Sequence, residues 1–323
     1  MSRRLLVIDT DPGVDDAIAI LLAIASPEVE LAAVTTVFGN VSVRQTTENA
    51  LRILALAGAR NIPVAAGAAR PLIHPQPRRG SHTHGANGLG GVELSPADRR
   101  AEPTGAVRFL ADLLQASSRP VTVCAIGPLT NIALLVGSDP AAAARIDRLV
   151  VMGGAYGAGS TTGVAEFNAL SDPEAAQRVL NSGLPITVVG MDVTRQAALD
   201  LAAVERIGAS GPVGAAGAAM LVHSRTVQES DQRGGGVVVH DALAVLEVII
   251  PGVVQTDPRA VTVDCGQGAG RGRTLAESCP APRSGPDRGA QLVPQPQPVR
   301  VAQTVDSARA GTEIAARLCS YPR

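Results

Sequence analysis

The chain has no lysine; all 28 of its basic side chains are arginine. Schiff-base chemistry and a lysine general base are therefore excluded. It has no tryptophan, and aromatic residues make up only 2% of the whole, too few for the stacked platforms on which single-stranded nucleic acid lies. Charge of one sign is missing too. With 28 basic and 29 acidic residues the formal net charge is -1, which gives no electrostatic case for nucleic acid or an anionic membrane. The four cysteines, Cys124, Cys265, Cys279 and Cys319, form no CxxC pair and have no zinc-finger spacing. Cys124, inside VTVCAI, reads as plain core. No apolar run has the length of a membrane span, and because the N-terminus runs directly into a strand no signal peptide is expected. Together these absences lead us to expect a soluble, reduced, cytoplasmic protein that binds neither nucleic acid nor membrane.

What is present is a regular alternation. At 323 residues the chain can bury a large core. Strands are expected at Leu5–Ile8, Val29–Val37, Pro63–Ala66, Val121–Ile126, Leu149–Met152 and Ile186–Val189. Helices are expected between and after them, at Ala17–Ala25, Val43–Ala57, Thr104–Ala116, Leu129–Val136, Pro173–Leu180, Leu199–Ile207, Ala215–Glu229 and Asp241–Ile250. Such alternation points to an α/β fold, a mainly parallel open sheet with helices on both faces, in a single large domain. Beyond Pro251 the texture changes. Val261–Cys265 and Val299–Gln303 are strand-like and Asp306–Leu318 helical. Between the two strands Ser278–Pro298 holds six prolines and reads as an irregular, dispensable insertion. A second long segment, Gly67 to about Glu102, is rich in Gly, Pro, Arg and His; a loop of that length is functional or disordered.

The chemistry concentrates at DTDPGVDDA, Asp9 to Ala17, where Asp9, Asp11, Asp15 and Asp16 crowd between a buried strand and an apolar helix. In open α/β sheets that is where ligands bind. Crowded carboxylates repel and resist ionisation; a hard cation relieves this, and calcium takes about six to eight oxygen ligands. Pro12 and Gly13 are expected to make the sharp turn that aims the acids at one point. Asp15 and Asp16 could instead merely complement the dipole of the helix they open, but that leaves Asp9 and Asp11 unexplained. An EF-hand loop fails on register: counted from Asp9, the glycine is at position 5 and position 12 is Ile20.

DTDPGVDDA resembles the N-terminal signature of the nucleoside hydrolases, the inosine-uridine preferring nucleoside N-ribohydrolases. The resemblance continues in order through TTVFGN (Thr35–Asn40), HGANGLG (His84–Gly90), IGPLTNIA (Ile126–Ala133), VVMGGAY (Val150–Tyr156), AEFNALSDPEAA (Ala165–Ala176), VHDALAV (Val239–Val245) and GRGRT (Gly270–Thr274). It implies calcium-dependent hydrolysis of the N-glycosidic bond of ribonucleosides. Asp11 then matches a calcium ligand that is also the base for the attacking water. Asp16, Asp241 and the backbone carbonyl of Ile126 match the other ligands, and Asp9 a position beside the ion. Asp15, Asn40, Glu166 and Asn168 match ribose contacts, and Met152 a residue lining the site. His240 matches the acid that protonates the leaving base, and His84 is a further candidate for base contact. The resemblance also implies self-association, as a dimer or tetramer.

Two departures stand out. Ser160 occupies the place where the family usually has an asparagine for the 5′-hydroxyl, and the helix before His240 has no tyrosine. Two other readings compete. A haloacid dehalogenase-type phosphatase also carries Asp-x-Asp after its first strand, but it leaves HGANGLG, AEFN and VHDA unexplained. A nucleoside-binding protein without turnover would have no use for Asp11, Asp16, Asp241 and His240 together.

Overall fold

The computed structural model describes residues 3–230, 236–278 and 297–322. Strand β1 (Arg4–Thr10) leads to α1 (Val14–Ile24), β2 (Val29–Thr36), α2 (Val43–Leu56) and β3 (Val64–Ala66). A short helix α3 (Ser81–His84) lies inside the long segment that follows; α4 (Ala106–Ala116), β4 (Val121–Ala125), α5 (Thr130–Ser138), α6 (Pro140–Ala143) and β5 (Ile146–Met152) come next. Then come α7 (Phe167–Ser171), α8 (Pro173–Leu180), β6 (Ile186–Val189), α9 (Met191–Thr194) and β7 (Ala198–Leu199). Helices α10 (Leu201–Gly208) and α11 (Pro212–Ser230), strand β8 (Val237–Val238) and α12 (His240–Ile249) precede β9 (Val254–Val263), β10 (Thr274–Ser278), β11 (Pro298–Val305) and α13 (Ser307–Leu318).

Nine strands form one sheet in the order β10-β9-β11-β6-β5-β4-β1-β2-β3. From β3 through β11 every neighbouring pair is parallel; β9 and β10 add an antiparallel edge. Side chains alternate across the sheet as strand geometry demands. Leu6 and Ile8 enter a core with α1, α2 and α12, whereas Val7 enters a second core with α4, α5 and α8. Helices therefore cover both faces, as the alternation of elements predicts. Among the described residues no helix is long and apolar enough to cross a membrane.

The C-terminal part departs from expectation. Strand β9 starts at Val254, not Val261, and β10 was not expected at all. Both lie at the solvent-facing edge, where Gln255, Asp257 and Pro258 are exposed, so an apolar run marks only the buried end of β9. Pro258 is paired with Arg300 of β11, and the described pairing of β10 with β9 runs from Arg259 to Val263. Of the proline-rich stretch Ser278–Pro298, residues 279–296 lie outside the described residues.

Candidate active site

Strand β1 is central, and its C-terminal end delivers the acids. Asp9 and Thr10 are still strand residues, Asp11 lies on the turn, and Asp15 and Asp16 open α1. Two of the four acids thus do sit in a first helical turn, and Asp16 also ties that turn: its Oδ2 accepts the backbone N–H of Gly13 at 2.9 Å. The structure corrects the role of Gly13. Its φ of -99° is open to any residue; a Cβ there would instead strike Asn40 Nδ2 and His84 Nδ1. Glycine is required for close approach, not for a special turn. Gly39 and Gly127 flank the Asp11 carboxylate in the same way, each leaving no room for a side chain.

One cavity of about 510 Å³ opens at this edge of the sheet. Asp11, Asp15, Asn40, His84, Ile126, Met152, Glu166, Asn168, His240 and Asp241 all line it, although they come from seven separate parts of the chain, and Ser160 joins them. Asp9 and Asp16 lie just beneath, at 0% and 1% exposure. All the residues singled out in the sequence thus meet in or directly under a single cavity.

The cluster is held by neutral donors, not by cations. Asn40 donates its backbone N–H to Asp11 Oδ2 (2.7 Å) and its amide to Asp16 Oδ2 (3.0 Å). Thr10 donates to Asp16 Oδ1 at 2.5 Å. Asp9 Oδ1 accepts from Thr35 (2.5 Å) and Asn131 (2.8 Å), while its Oδ2 is buried without a partner. Asn168 Nδ2 reaches the Ile126 carbonyl at 2.9 Å. Glu166 caps α7, accepting the N–H groups of Asn168 and Ala169 and that of Gly154. One oxygen from each of Asp15, Asp16 and Asp241 lies within 4.8 Å of the others. Asp15, expected to contact ribose, is in that triple, and Asp11, expected as a ligand, is not.

Burial decides the electrostatics. It lifts Asp9 to about 6. It raises Asp11, with Asp16 adding repulsion, and Asp16, with Asp15 adding repulsion. Asp15 is raised by burial as well, against hydrogen bonds from Asp241. Asp241 is raised by burial and then by Asp15, Asp16, Asp11 and Glu166 in turn. An all-oxygen donor set, mutual repulsion and the orphaned Asp9 Oδ2 fit a hard divalent cation such as calcium. The nearby imidazoles are otherwise engaged. His84 Nδ1 accepts the Val14 N–H at 3.1 Å, which places its proton on Nε2; burial pushes this imidazole down to about 4. Its 3.8 Å approach to Asp15 is therefore not an ion pair at neutral pH. His240 Nδ1 lies 2.7 Å from Thr194 Oγ1.

A stability prediction follows. These carboxyls hold their protons more tightly in the folded chain than in the unfolded one. Without a cation, the stability they contribute is complete below the ordinary carboxylate range and is lost as pH rises through the raised folded values. A bound cation removes that loss. The rise in melting temperature on adding calcium should therefore grow from about pH 5 to about pH 8, and free calcium at about 100 times Kd should add about 2.7 kcal/mol at a site absent from the unfolded chain. A melting temperature indifferent to calcium across that range, or stoichiometric zinc in the purified protein, would count against the assignment.

Sequence reasoning missed Thr10, Thr35, Asn131 and Thr194. Thr35 and Asn131 lie inside the segments TTVFGN and IGPLTNIA, but a hydrogen bond to a buried carboxylate leaves no mark in composition or spacing. Thr194, on α9, carries no such signal.

Residues 6–311 match the family model for inosine-uridine preferring nucleoside hydrolases. The pyrimidine-specific ribonucleoside hydrolase RihA of Salmonella agona is 40% identical over 261 residues, covering 80% of this chain and 84% of that protein. RihB of Escherichia coli, also named pyrimidine-specific, is 37% identical over 280 residues, covering 86% and 88%. The solved structure of a plant nucleoside hydrolase, the PpNRh1 enzyme, superposes with a TM-score of 0.91 at 32% identity, covering 99% of this chain and 100% of that one.

Proposed function

Since this chain belongs to the inosine-uridine preferring nucleoside hydrolase family, we propose that its cavity carries out a calcium-dependent hydrolysis of ribonucleosides to free base and ribose. As an enzyme it is an N-glycosidase. The observation that carries the finer reading is the convergence of Asp11, Asp15, Glu166, Asp241, His240 and the Ile126 carbonyl on one cavity at the C-terminal edge of the parallel strands.

Asp11, wedged between Gly39 and Gly127, takes the proton of the attacking water at its carboxylate. The water oxygen bonds to C1′, and the C1′–N electron pair leaves with the base, which His240 protonates. Asp15, Asn40, Glu166 and Asn168 hold the ribose hydroxyls, with Met152 forming part of the wall and His84 facing the base. Asp9 supports the cluster from below. Asp11, Asp16, Asp241 and the Ile126 carbonyl would hold calcium, which when bound would supply the charge that lowers the pKa of the attacking water and helps to orient the 2′- and 3′-hydroxyls. The same reading gives the protein a small-molecule ribonucleoside as its partner, a cytoplasmic location and a homo-oligomeric state, dimer or tetramer.

A reducing-sugar assay on inosine, adenosine, guanosine, uridine, cytidine and nicotinamide riboside tests this. Uridine and cytidine head the panel because RihA and RihB are named as pyrimidine-specific. We expect ribose release that a chelator abolishes and calcium restores. Release that persists unchanged in excess chelator would remove the cation from the reaction, and no release from any nucleoside would overturn the activity.

A further inference from the structure

We propose that Gln228 is a positioning residue: its side chain acts as the missing third strand beside β8 and so presents His240 and Asp241 to the cavity. This rests on the function proposed above. Strand β8 is two residues long and, among the described residues, pairs only with β7, Leu199 with Val237 and Ala198 with Val238. Such a ribbon has little stability of its own. Its inner edge is extended by one bond, from Val239 N–H to the Ala197 carbonyl at 3.2 Å. The other edge exposes both backbone groups of Val238, and an unpaired pair of this kind, away from water, is costly.

Gln228 meets both of them. Its Oε1 accepts the Val238 N–H at 3.0 Å, and its Nε2 donates to the Val238 carbonyl at 3.1 Å. That two-way pairing is what a neighbouring strand would supply, here delivered from helix α11. The remaining Nε2 hydrogen goes to Ser224 Oγ, one helical turn back, at 3.0 Å, which fixes the amide plane. Val238 is followed by Val239 and then directly by His240 and Asp241, the first two residues of α12. A shift of the strand therefore moves the proposed acid and a proposed cation ligand together.

Gln228 also lines the cavity, so direct contact with the base is the obvious alternative. The hydrogen bonds argue against it. Both Nε2 hydrogens are committed within the protein, and the amide cannot turn toward a ligand without breaking its pairing with Val238.

The test uses Gln228→Met, similar in length and without hydrogen bonds, and Gln228→Glu, which keeps an acceptor for the Val238 N–H and loses the donor. Misplacing catalytic groups by about 1 Å costs up to roughly 10²-fold. For Gln228→Met we expect kcat to fall about 10- to 100-fold by the same factor on inosine and uridine, with KM within about threefold. Amide exchange at Val238 should be slow in the wild type, fast in Gln228→Met and slow again in Gln228→Glu, whose kcat should lie between the other two. An unchanged kcat in Gln228→Met would overturn the proposal. So would a KM that rises for one base and not the other, the mark of direct contact, or a Val238 amide that exchanges fast in the wild type. If the wild type releases ribose from no nucleoside, the proposed function fails, and the exchange data still report on the Gln228–Val238 pairing.

Discussion

Asp11→Asn should fold, bind calcium and lose nearly all turnover. The Asn40 N–H that meets Asp11 Oδ2 at 2.7 Å can be accepted equally well by an amide oxygen, so the pocket keeps its shape. An oxygen also remains for a cation. What goes is the group that takes the proton from water, and the loss should be at least about 10²- to 10⁴-fold in kcat, about 2.7 to 5.4 kcal/mol of barrier. The variant also relieves a repulsion. Burial and Asp16 both resist ionisation of Asp11, so an uncharged side chain there should leave the chelated protein at least as stable as wild type at neutral pH. Kinetics on the best nucleoside, calcium titration and a melt in chelator separate these effects. Wild-type turnover in a variant that binds calcium would remove Asp11 as the base. A melting temperature well below wild type in chelator would mean that the carboxylate is structural.

The sheet and the acids were legible because they rest on strong local signals. Leu5–Ile8 is apolar on both faces since β1 is buried between two helical layers, and four acids within eight residues are more than the first turn of a helix uses. The identity of the supporting donors was not legible. Thr35 and Asn131 meet Asp9 across β2 and α5, contacts created by sheet order, which a single sequence does not display. Gly13 shows a subtler failure. The residue was rightly expected to matter, yet the reason was a steric limit imposed by Asn40 and His84, the latter 71 positions further along the chain. Strands β9 and β10 escaped because an edge with one exposed face mixes polar and apolar residues without a clean period of two. The grouping of Asp15 with Asp16 and Asp241, and the seat of Asp11 between its two glycines, could only come from coordinates.

His240 offers the sharper discrimination between acid and scaffold. A purine or pyrimidine leaves poorly as an anion, so protonation helps the C1′–N bond break. A p-nitrophenolate leaves readily without a proton. His240 lines the cavity, and its Nδ1 is engaged by the Thr194 hydroxyl at 2.7 Å, an arrangement that sets the ring plane as a general acid requires. It also opens α12 immediately before Asp241, so it could equally serve that helix. His240→Ala should lower the rate on inosine by roughly 10²-fold or more if it is the acid, and barely affect hydrolysis of p-nitrophenyl riboside. If the imidazole instead orients Asp241, both substrates should suffer alike, because both use the same ribose contacts and the same acidic cluster. Measuring calcium affinity in the variant adds a second check: an acid can be removed without weakening the cation site, whereas a support for Asp241 cannot. Equal losses on the two substrates, with weakened calcium binding, would assign His240 to the scaffold and leave the protonation of the base to another group in the cavity.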